Sequence, residues 1–159
     1  MQRLAVSSDF DFIYDLYMHR DINPWLLYEV MDKNEFRPVF DELVSKKSLF
    51  IYFENEEKVG MFKLVPQKYR NSHILYLGGI GIDPAHLGKG HGSLMLDEII
   101  ALIKLMGYTR IELTVSTENK QAIRIYEKAG FVNEGTLKKY TYLRSVDRYI
   151  DEQVMAILI

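Results

Sequence analysis

The chain has 159 residues, a net charge of −2 and no cysteine; 48% of it is apolar and 26% charged, an ordinary globular mixture. A single domain spanning residues 1–159 is expected, since one core can be completed at this length. Nothing in the charge suggests nucleic acid or an anionic membrane as the main partner, and the missing thiols exclude disulfides, thiol catalysis and cysteine-bound zinc. No stretch has the flanks and apolar centre of a signal peptide, and no apolar run approaches the roughly 18 residues of a membrane span. A cytoplasmic protein is the expectation.

Leu4-Ala5-Val6 is short and apolar, and Ser7-Ser8-Asp9 is a helix-cap signal. Phe12, Ile13, Leu16 and Tyr17 follow at helical spacing up to a break at Asn23-Pro24, and Trp25 to Met31 reads as a further helical piece. From Glu35 to Lys46, Phe36, Val39, Phe40, Leu43 and Val44 form an amphipathic stripe, with Pro38 near its start. The period then changes to two. Leu49–Phe53 and Val59–Val65 form a hairpin around the polar turn Glu54-Asn55-Glu56-Glu57. After a loop over 66–72, Ile74 to Ile82 is a third strand.

A long helix over Gly90–Met106 presents Leu94, Leu96, Ile99, Ile100, Ile103 and Leu105 inward and stops at Gly107. Arg110–Ser116 is a strand, and Glu118–Ala129 a helix ended by Gly130. Gly135–Tyr142 and Arg148–Leu158 are strands joined at Ser145-Val146-Asp147. The order β-α-α-β-β-β-α-β-α-β-β is an α/β sandwich with a mixed sheet flanked by helices.

Two segments carry chemistry. The first is Ile82-Asp83-Pro84-Ala85-His86-Leu87-Gly88-Lys89-Gly90-His91-Gly92, between a strand and a long helix. A pyrophosphate needs converging N–H donors, and a helix N-terminus supplies them with the positive end of the macrodipole. Gly88, Gly90 and Gly92 remove Cβ atoms so that anionic oxygens can reach the backbone. His91 and Ser93 add N–H groups, Ser93 a hydroxyl, and Lys89 either a charge or a solvated side chain. As a ligand-free turn, these glycines would weaken the helix start by up to about 1 kcal/mol each without compensation. A Walker loop is excluded because Lys89 precedes Gly90 rather than Ser or Thr. A dinucleotide site is disfavoured by the G-x-G-x-G spacing, by the mid-strand position of Glu112 and by the absence of a second βαβ half.

The second segment is Asn119-x-x-Ala122-x-x-x-Tyr126-x-x-x-Gly130-Phe131. Asn119 is an N-cap or first-turn residue. Tyr126 lies two turns on along the same face, with the small Ala122 between them. A phenol placed so can protonate the thiolate expelled when an amine attacks a thioester; as packing, Tyr126 is a core aromatic and Asn119 a cap. Before the first segment, Leu77-Gly78-Gly79-Ile80-Gly81-Ile82 is a strand whose three glycines require a bulge or a close backbone approach.

In this order and spacing the two segments resemble the GCN5-related N-acetyltransferase (GNAT) superfamily, from about Tyr76 to the C-terminus. Gly130-Phe131-x-x-Glu134-Gly135 and Asp151-x-x-x-Met155 look like the branch of ribosomal-protein N-terminal and spermidine acetyltransferases. The resemblance implies a single-domain sheet with a splayed central strand pair, acetyl-CoA as co-substrate, no metal, and direct acetyl transfer to a primary amine. It implies a pantetheine arm paired with the backbone of Ile80 and Ile82, and phosphates held from Leu87 through Ser93. Asn119 and Tyr126 lie beside the coenzyme, with Tyr126 as the catalytic acid. The chain departs from the family at Leu87, where Arg or Gln is usual, and at Tyr76, where some members have a glutamate base. The base is left open among His73, His86 and a water chain. The acceptor is a peptide N-terminus or small amine, and the fold admits a homodimer. Asp9, Asp11, Asp15, Asp21, Trp25 and Glu29 either frame a cationic amine or are solvated helix faces. The alternative function is a non-catalytic acyl-CoA sensor or interaction module of the same fold.

Overall fold

The computed structural model describes residues Met1–Ile159. Eleven main elements follow one another: β1 (Gln2–Leu4), α1 (Phe10–Met18), α2 (Lys33–Ser45), β2 (Leu49–Glu54), β3 (Glu57–Pro66), β4 (Ile74–Ile82), α3 (His91–Leu105), β5 (Arg110–Ser116), α4 (Lys120–Lys128), β6 (Val132–Leu143) and β7 (Arg148–Leu158). The strands form a seven-stranded mixed sheet in the order β1-β2-β3-β4-β5-β7-β6. No helix is long and apolar enough to cross a membrane. Met1–Leu64 with Gly79–His91 make one compact unit, and Val65–Gly78 with Gly92–Ile159 a second.

In the first unit α1 and α2 bury an aromatic core. Phe10, Tyr17, Phe36 and Phe40 are nearly inaccessible, and the Phe10 and Phe40 rings meet edge to face at 5.3 Å. Helix α2 starts two residues before the stripe that announces it. Asp32 accepts from the N–H groups of Asn34 and Glu35 while Glu35 reaches back to the Asp32 N–H, a reciprocal capping box. The helical piece expected over Trp25–Met31 is absent. A single 3₁₀ turn, Asn23–Trp25, is followed by irregular chain because the Asn23 side chain donates to the carbonyls of Tyr17 and Tyr28 and holds the segment as a loop.

In the second unit β4 and β5 pair in parallel from Ile74↔Arg110 to Tyr76↔Glu112. Beyond that pair the two strands part: β4 runs on to Ile82, and β5 runs to Ser116 paired with β7. Ile111, Leu113 and Val115 are buried and alternate with half-buried neighbours along β5. Helix α3 buries Met95, Leu96, Ile99 and Ile103, whereas Leu94 and Leu105, expected inward, are 51% and 87% exposed. Met95, Ile99 and Ile103 form an i, i+4, i+8 row with Leu96, one turn-step before Ile99, beside it, and Leu94 and Leu105 lie away from that face. Gly107 (φ 85°) and Gly130 (φ 97°) follow α3 and α4 in the left-handed conformation of helix ends.

Candidate functional site

Strand β4 bends at Gly79, whose φ is 57°. A Cβ there would lie 2.9 Å from the Tyr17 hydroxyl oxygen, so no larger residue fits without moving the buried Tyr17 ring. Ile80 and Ile82, the expected pantetheine partners, follow this bend and are half-buried. Asp83 then leaves the strand. Its N–H donates to the Val59 carbonyl at 2.8 Å and its carboxylate accepts from the Ala85 N–H at 2.9 Å, fixing one 3₁₀ turn over Pro84–His86.

The expected cradle comes next. The Leu87 N–H closes the turn onto Pro84 O at 3.3 Å, and no loop bond uses the N–H groups of the six residues that follow. Gly88 and Gly90 take φ of 77° and 82°, and a Cβ built on either would meet nothing within 4 Å. Their left-handed conformation turns the chain into α3, which begins at His91, so His91, Gly92 and Ser93 occupy its first turn, where N–H groups have no intrahelical acceptor. Leu87 is 50% exposed. The Lys89 ammonium donates to Ala85 O at 3.3 Å, so its charge folds back over the loop. The His91 ring meets His86 edge-on at 5.8 Å, and its Nδ1 is buried with no partner.

Asn119 is the N-cap of α4. Its Oδ1 accepts from the Ala122 N–H at 3.1 Å, which leaves the side-chain NH₂ as a donor. Tyr126, two turns on, is 9% exposed; its ring packs 5.8 Å from Phe131 and its hydroxyl makes no hydrogen bond. Burial, and secondarily Tyr76, raises its pKa well above that of a free phenol, so it holds its proton at neutral pH.

Tyr76 donates to or accepts from the Thr114 hydroxyl at 3.0 Å. Thr114 and Glu152, with the Thr141 hydroxyl that donates to the Glu152 carboxylate, stand out only in three dimensions. The sequence carries a signal for Thr114 alone, the period-two alternation that puts half-buried polar residues on one face of β5; β7 has no such alternation. Of the two histidine candidates for the base, His73 is exposed and His86 Nε2 lies 4.0 Å from Glu57. Asp9 is not part of an amine frame. It is inaccessible, bonded to Arg3 at 2.7 and 3.0 Å and to Lys58 at 2.8 Å. Asp11 is paired with Lys33 at 2.6 Å, and Asp21 lies 3.4 Å from Arg20.

Comparison with known proteins adds to this geometry. Residues 10–131 match the model of the acetyltransferase (GNAT) family. An L-amino acid N-acetyltransferase of Escherichia coli is 40% identical over 93 residues, 58% of this chain and 56% of the relative; this match spans just over half the relative's length. The spermidine N(1)-acetyltransferase of Vibrio cholerae is 27% identical over 98% of this chain and 91% of its own. A solved structure of spermidine N-acetyltransferase from the same organism, in complex with CoA and spermine, superposes with a TM-score of 0.86 at 24% identity, over 99% of this chain and 94% of that one. The chain belongs to the acetyltransferase (GNAT) family.

Proposed function

We propose that this protein transfers an acetyl group from acetyl-CoA directly to the primary amine of a small molecule or peptide N-terminus. The observation that carries this reading is the loop from Leu87 to Ser93. Two left-handed glycines with open space at their Cβ positions lead into a helix whose first N–H groups lack partners, a surface suited to a pyrophosphate. The backbone of Leu87, Gly88, Lys89, Gly90, His91, Gly92 and Ser93, with the Ser93 hydroxyl, holds the phosphates. The backbone of Ile80 and Ile82 aligns the pantetheine arm, and the Asn119 amide donates to it.

Acetyl-CoA supplies an acyl thioester. The amine nitrogen attacks the acyl carbon, the C–N bond forms, the C–S bond breaks, and the amine's surplus proton passes to solvent. Tyr126 gives its proton to the departing sulfur and recovers one from solvent. Its raised pKa keeps the phenol protonated, and so available as a donor, at neutral pH. The absence of cysteine leaves no enzyme thiol to carry the acetyl group, so the amine reacts within a ternary complex.

The test is thiol release from acetyl-CoA against a panel of polyamines, amino acids, amino sugars and peptide N-termini. Turnover with a peptide N-terminus or small amine is expected. Coenzyme binding without turnover on any amine would make the protein an acyl-CoA-binding module instead. Turnover confined to amino sugars would overturn the acceptor class.

A further inference from the structure

The second unit contains a carboxylate that its fold leaves without a counter-charge. Glu112 and Glu134 pair with Arg110, Glu118 with Arg148, and Asp151 with Lys138. Glu152, half-buried on β7, has no cation; its only hydrogen bond comes from the Thr141 hydroxyl. A partly desolvated carboxylate held by one neutral hydroxyl is costly unless something else compensates it.

The surroundings of Glu152 are built by an irregularity in β6. Leu137 faces Glu152 and Thr141 faces Ile150, so Lys138, Lys139 and Tyr140 all stand against the single residue Asp151. Asp151 stabilises this bulge by accepting from the Lys139 N–H at 2.7 Å and from the Lys138 ammonium at 2.9 Å, with Lys139 at φ 50°. Bulges re-aim side chains, and this one brings the Thr141 hydroxyl onto Glu152. It also turns Lys138 and Lys139 to Asp151 and to the Tyr149 ring, 5.6 Å from the Lys139 ammonium, so neither lysine neutralises Glu152. Across the sheet, the Tyr76–Thr114 hydroxyl pair lies on the same side, because Thr114 is opposite Val154, two residues along from Glu152. The Tyr76 phenol has a raised pKa, chiefly through burial and in smaller part through the nearby charge of Glu152 and through Tyr140.

We propose that Glu152, bonded to Thr141 and sharing its sheet face with the hydroxyls of Thr114 and Tyr76, is the docking site for a charged ammonium group that the acceptor carries besides the amine that reacts. An alkylammonium supplies the missing positive charge and three donors. The carboxylate accepts one, and the hydroxyl oxygens, which can donate to each other or accept, take the rest. The site therefore selects a cationic amine over a neutral isostere of the same length. This assignment rests on the acetyltransferase reading above for its role, but not for its test.

The test is amide-shift titration of the coenzyme-free protein with 1,4-diaminobutane, and with 1,4-butanediol as the neutral control. The diamine is expected to shift Tyr76, Thr141 and Glu152, and the diol to shift none of them. Glu152→Gln keeps the shape and the Thr141 bond and should weaken diamine binding about 10- to 100-fold, the difference between a charged and a neutral acceptor. Acetyl-CoA affinity of the same variant, measured by calorimetry, should be unchanged. Thr141→Val should weaken the diamine only a few-fold. Equal diamine binding by wild type and Glu152→Gln, or shifts confined to the α1 carboxylates Asp11 and Asp15 and to Asp21 just beyond them, overturns the assignment. If wild type binds the diamine at Glu152 but does not bind acetyl-CoA, the coenzyme reading fails and the cation site stands.

Discussion

Tyr126 and Asp9 are both buried polar residues, and their surroundings set opposite fates. The Tyr126 hydroxyl has no partner, so Tyr126→Phe leaves the packing against Phe131 intact and removes only a proton donor. Turnover is expected to fall by about 10²-fold, the low end for general acids because a thiolate leaves readily, with coenzyme affinity nearly unchanged. Stopped-time assays and calorimetry on one preparation measure both. Asp9 loses solvation on burial, but hydrogen bonds from Arg3, Lys58 and the Val6 N–H outweigh that loss and hold its pKa far below the usual carboxylate range. A carboxyl depressed in the folded state stabilises the fold above its unfolded pKa, and that contribution disappears as pH falls through the folded value. Asp9→Asn is therefore expected to cost about 3 kcal/mol at pH 7. The gap between variant and wild type in urea melts should shrink steadily below about pH 4. Leu87 is 50% exposed at the entrance to the glycine turn. Leu87→Arg adds a charge that can reach phosphate but is screened by water, so a gain of about 1 kcal/mol is expected, seen as a several-fold lower acetyl-CoA dissociation constant.

The elements explain which local signals were readable. The turn from β4 into α3 needs left-handed residues, and Gly88 and Gly90 are visible as such in the bare sequence. Gly90→Glu is expected to abolish acetyl-CoA binding. The residue would take a φ of 82° at about 1–2 kcal/mol of strain, and its carboxylate would meet the phosphates at a contact distance worth about 4 kcal/mol of repulsion. Calorimetry on a variant shown to be folded by circular dichroism checks this; retained affinity would sink the cradle. Leu94 and Leu105 look inward by hydrophobicity alone, but the buried row of α3 runs through Met95, Ile99 and Ile103, and a helix offers several apolar rows when most of its residues are apolar. Asp32 and Glu35 form a capping box that the sequence contains as D-x-x-E, although the apolar stripe suggests a later start. Trp25–Met31 has helical composition, and the side chain of Asn23 overrides it.

At the scale of the molecule, direct transfer has a kinetic signature. With no cysteine to be acetylated, initial rates at varied acetyl-CoA and amine are expected to give intersecting lines. The rate should rise with pH across the neutral range as the acceptor loses its proton. Parallel lines with trapped acetyl-enzyme would contradict this. The order of elements, the mixed sheet, the limits of β5 and the glycine turn before α3 were determined by the sequence itself. They depend on periodicity, helix ends and backbone sterics, which act between residues a few positions apart. The place where β4 and β5 part, the burial of Asp9 between Arg3 and Lys58, the bulge that sets Thr141 against Glu152 and the packing of Tyr17 under Gly79 were decided only by tertiary structure. Each depends on strand register or on a contact between residues distant in the chain, and a side chain's neighbours across a sheet change completely with a one-residue shift of register.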